Sequence, residues 1–99
     1  MTLEQAFQKQ ALANAQTAML AHSCPTRRLI QTLESRGGVE TARELARRRR
    51  VSDGFENLRR CGHLELTPEA LMTQSRFGAL FTDDEVNWCL DVLVEAGYY

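Results

Sequence analysis

The chain has 99 residues, 43% hydrophobic and 25% charged, with a net charge of −1. That length is one domain, able to bury a modest core without metal or disulfide support, and the composition excludes wholesale disorder. No apolar run approaches a membrane span and the start lacks the pattern of a signal peptide, so the expectation is a cytoplasmic protein with no membrane role.

Strand signals are close to absent, and the expected fold is all-α: five or six short helices in a compact bundle behind a longer N-terminal helix. Residues 3–21 lack Gly and Pro and carry Leu3, Phe7, Ala11, Ala15 and Ala18 on one stripe. The stripe is mostly alanine, which permits close packing on the domain or pairing with a second copy in a homodimer. A division follows: residues 1–24 as a packing or dimerisation helix, residues 25–99 as a helical module. Pro25 breaks the first helix, and residues 26–35 place Leu29, Ile30 and Leu33 on one face. Gly37 and Gly38 close that helix, and a third runs from Val39 to about Arg48 with arginines at its negative end, as the helix dipole favours.

Ser52 is the expected N-cap of a fourth helix that buries Phe55 and Leu58 and stops at Gly62. Leu64 and Leu66 lie in a short extended connector. Thr67 and Pro68 start a brief helix, residues 74–81 form a loop, and Thr82 with Glu85 makes a capping box for the last helix. There Val86, Leu90, Leu93 and Val94 are the expected inward stripe, leaving Trp88 and Val92 on the opposite side.

Charge is polarised. Residues 27–60 hold ten arginines against five acids, while residues 61–99 hold one arginine against seven acids. Arg43, Arg47, Arg48, Arg49, Arg50, Arg59 and Arg60 are therefore a candidate face for nucleic acid or an acidic partner. Helices 39–48 and 52–61 could form a helix-turn-helix. The acid at Asp53 and the sequence pI of about 6.1 oppose that reading. Trp88, Val92, Tyr98 and Tyr99 are the candidate protein-partner surface, because tryptophan is enriched at interface anchors.

Two mirrored pairs, His22-Ser-Cys24 and Cys61-Gly-His63, have the inventory of a zinc site but not its usual spacing. Three dispersed cysteines make no disulfide framework. No cofactor motif or catalytic constellation is visible, and the chain reads as a non-enzyme.

Residues 37–98 resemble a small helical module that recurs in uncharacterised bacterial and phage-borne proteins. The resemblance rests on Gly37, Gly38, Ser52, Gly54, Phe55, Leu66, Thr67, Glu69, Ala70, Leu71, Leu80, Phe81, Thr82, Glu85, Gly97 and Tyr98. It implies an accessory, partner-binding role, with a mobile-element modulator of a host or defence machine as one concrete form. The runner-up is a DNA- or RNA-binding module using the arginines.

Overall fold

The computed structural model describes residues 1–99. Six α-helices follow one another with no strand: α1 (Leu3–His22), α2 (Arg27–Arg36), α3 (Gly38–Arg48), α4 (Phe55–Cys61), α5 (Pro68–Met72) and α6 (Asp83–Glu95). Two 3-10 turns, Leu64–Leu66 and Ser75–Leu80, take the places expected to be an extended connector and a loop.

The ends of the long helices are fixed locally. Thr2 and Thr82 each form a capping box, with Gln5 and Glu85 respectively, satisfying amide donors that a helix start leaves open. Thr67 caps α5 through the Ala70 amide, with Pro68 at the first helical position. Ser52 departs from its expected role. The residue before α4 is Gly54, in the left-handed region at φ 86°, and Ser52 is drawn into the interior. A Cβ at Gly54 would lie 3.1 Å from the Pro25 carbonyl oxygen, so the glycine also permits a close approach of two chain segments.

α1 is the central element and packs on α2 and α3. Phe7, Ala11 and Ala15 enter the main core with Leu29, Leu33, Val39, Ala42 and Leu71. The Phe7 ring meets Phe77 and Phe81 edge-on, with centroids 5.1 and 5.2 Å away, a favoured aromatic geometry. Gln8 ties the same helix to the α2–α3 junction: its Nε2 donates to the Leu33 carbonyl at 2.9 Å, and its Oε1 accepts from the Gly38 amide. The alanine stripe is therefore covered by its own chain. Residues 1–24 belong to the core of the module they precede, and Leu3, at the stripe's end, is exposed.

α6 is rotated from its expected setting. It lies against α5 and α3. Burying it between two neighbours uses two adjacent side-chain lines, Val86–Cys89–Leu93 and Trp88–Val92–Ala96. Trp88 is 8% exposed and part of the main core, and Val92 is half-buried against it. Leu90 and Val94, expected inside, stand outside.

Candidate functional site

Three constellations carry the polar chemistry and exposed apolar surface. The first is the arginine face. Six of its seven candidate residues have intramolecular partners. Arg43 donates through Nε and Nη2 to the Leu80 carbonyl, at 3.3 and 2.8 Å. Arg47 pairs with Glu44 and Glu40, Arg48 with Glu44, and Arg49 with Asp84 at 3.0 Å. Arg59 and Arg60 both reach Glu56. The hydrogen bond from Arg47 holds the Glu44 carboxyl below its ordinary value, and that from Arg59 does the same for Glu56. Exposed pairs of this kind neutralise charge without locking the side chains. Of the seven, only Arg50 has a guanidinium with no partner; with Arg36 and Arg48 it borders an open hollow of about 220 Å³, which Glu44 and Asp53 also line. α4 has seven residues and packs on the 64–66 turn, not along α3, so the two helices do not form a helix-turn-helix pair.

The second is the outer face of α6. Trp88 and Val92 face the interior, so of the four candidate partner residues only Tyr98 and Tyr99 remain accessible. Tyr99 Oη lies 3.2 Å from Thr73 Oγ1, which steadies the C-terminal pair. The rotation that buries Trp88 exposes Leu90 and Val94, one turn apart, at 37% and 56%. They share a solvent-facing arc with Asn87 and Asp91. Sequence periodicity found the helix but assigned these two to the wrong side. The signal pointing the other way was Trp88 itself, the largest apolar side chain on α6.

The third constellation joins residues remote in sequence. His22 and His63 stack with ring centroids 3.7 Å apart and planes 23° from parallel. Beside them, Cys24 Sγ lies 2.8 Å from Cys61 Sγ. The mirrored pairs thus reach one corner, where the end of α1 meets the end of α4. No three His, Cys, Asp or Glu side chains are arranged to hold a metal ion. Near-parallel imidazoles aim their in-plane lone pairs side by side, whereas tetrahedral zinc needs them to converge.

One polar pair escaped the sequence reading. Glu69 is wholly buried at the start of α5, where its carboxylate accepts from the Ser52 amide at 2.6 Å and from Ser52 Oγ at 2.7 Å. Burial raises its carboxyl above the ordinary value, and the Ser52 hydrogen bonds offset part of that rise. Glu69 stands in the first turn of α5, where an acid also suits the helix dipole. Its one mark in the sequence was a place, with Ser52, among the residues that carry the resemblance.

No helix is long and apolar enough to cross a membrane. Compared with family models, curated proteins and solved structures, the chain matches none.

Proposed function

We propose that this chain is a non-catalytic interaction protein that docks a protein partner on the outer face of α6. The carrying observation is the exposed apolar pair Leu90 and Val94 on α6. Large apolar side chains four residues apart on a solvent-facing helix are the pattern by which helices engage apolar grooves. The flanking groups on α6 are acidic, with Asp91 and Glu95 outside any ion pair and no cation on that helix. The fitting partner has an apolar groove bordered by basic side chains. The resemblance to accessory modules in bacterial and phage-borne proteins supports the same reading, and a mobile-element modulator of a host or defence machine is its most concrete form.

The test is affinity purification from the source cells with wild type and a Leu90→Asp/Val94→Asp variant. Both sites are exposed, so the variant should keep its fold by circular dichroism while losing the partner. A partner retained by that variant would overturn the reading.

A nucleic-acid reading draws on Arg27, Arg28, Arg36 and Arg50, none of which has a carboxylate partner. Phosphate contacts release counterions, so such binding weakens steeply with salt. The α6 reading predicts no retention of mixed duplex DNA even at low salt. Retention that disappears with added salt, and with Arg27, Arg28, Arg36 and Arg50 changed to Ser, would favour nucleic acid instead.

A further inference from the structure

We propose that Cys24 and Cys61 are a reversible redox pair, closing an intramolecular disulfide by exchange with a low-molecular-weight disulfide such as oxidised glutathione. The two sulfurs are 2.8 Å apart. A disulfide bond is about 2.04 Å long, so closure asks for under ~1 Å of approach. Both residues stand at helix ends: Cys61 is the last residue of α4, and Cys24 follows the left-handed Ser23 that terminates α1. A small shift there leaves the helical ladders intact. The third thiol, Cys89, is buried against Met72 in the main core and is pushed up to about 12, chiefly by burial. It takes no part and serves as an internal control.

The two sulfurs are unequal in a way that orders the steps. Cys61 is exposed, whereas Cys24 is buried beside Ala18 and Leu58. The Cys24 thiol donates to the Cys61 sulfur, and that hydrogen bond, followed by burial, makes it hold its proton more tightly than a free thiol. Cys61 is therefore the entry sulfur. Its thiolate attacks one sulfur of oxidised glutathione; a Cys61–glutathione disulfide forms, the glutathione S–S bond breaks, and one glutathione leaves and takes up a proton. Cys24 then gives its proton to solvent and attacks the Cys61 sulfur, expelling the second glutathione. Two protein thiols are oxidised by two electrons, and one glutathione disulfide is reduced to two thiols. The bond would tie the end of α1 to the end of α4, enclosing α2 and α3 in one covalent ring.

The experiment treats the reduced full-length chain with oxidised glutathione, alkylates remaining thiols under denaturant, and maps the products by mass spectrometry. The expected product is a Cys24–Cys61 crosslink with only Cys89 alkylated. Cys24→Ser should instead trap one glutathione on Cys61, and Cys61→Ser should give no crosslink. The oxidised wild type should melt roughly 10 °C or more above the reduced form, because the bond restricts the unfolded chain. A stable glutathione adduct on wild-type Cys61, three unmodified thiols, or a lower melting temperature after oxidation would each overturn the pairing. So would copurified zinc that protects both thiols until a chelator removes it, which would make the His22–His63 corner a metal site.

Discussion

Phe7→Ala is expected to cost about 3–5 kcal/mol of folding stability, the range for removing a buried aromatic ring. Phe7 is fully buried and sits edge-on to both Phe77 and Phe81, from the turn that leads into α6. Its loss leaves a cavity bounded by α1 on one side and the 75–81 segment on the other, between the two rings it met edge-on. A domain of this size has only about 5–15 kcal/mol in total, so the variant should approach the unfolding threshold. In urea the midpoint should fall while the slope stays constant. Leu20→Ala, at an 80% exposed position on the same helix, should shift stability by no more than about 0.5 kcal/mol. This contrast tests whether residues 1–24 are an appendage. If the module from residue 25 stood alone, Phe7→Ala would fray α1 without lowering the midpoint for the rest.

Helix starts were legible in the sequence wherever the determinants are local. Thr82 with Glu85, and Thr67 with Pro68, act on amides within three residues, and the folded chain uses them as read. Which face of a helix is buried is decided by its neighbours. α6 carries apolar side chains over most of its circumference, and the row Val86–Leu90–Leu93–Val94 was as good a period match as the one used. The competition is settled by α3 and α5, which together enclose the Trp88 side. Ser52 was misread for a related reason. As an N-cap it needs only a nearby helix, but Glu69, 17 residues away, needs its hydroxyl and amide more. The arginine run was visible as charge, yet five of its members find acids: four within four residues on their own helix, and Arg49 on Asp84 across the fold. The Cys24–Cys61 approach was invisible to spacing rules, because 36 intervening residues and two helix packings bring the sulfurs together.

Ser52→Ala is expected to cost about 1–3 kcal/mol, since it removes one of the two donors to a wholly buried carboxylate. Glu69→Ala should cost at least as much, because it strands the Ser52 amide and hydroxyl together. Glu69→Gln separates shape from charge: its amide oxygen can accept from the Ser52 amide while its NH2 donates to the hydroxyl. The diagnostic measurement is stability against pH for wild type and Glu69→Gln. Burial raises the folded-state carboxyl above its ordinary 4.5, so the folded chain keeps this proton over a range where the unfolded chain has lost it. The stability linked to Glu69 is therefore complete below the unfolded value. It declines as pH rises through the folded value and levels off above it. Glu44 and Glu56 act in the opposite sense, their carboxyls being lowered by arginine, but both variants share them. The difference between the two curves isolates Glu69: wild type should lose ground to Glu69→Gln as pH rises from about 4.5 toward neutrality. Parallel curves would mean that Ser52 hydrogen bonding balances the burial of the charge. Ser52 and Glu69 would then be a paired carboxylate site in which the serine donors offset the whole cost of burying the charge.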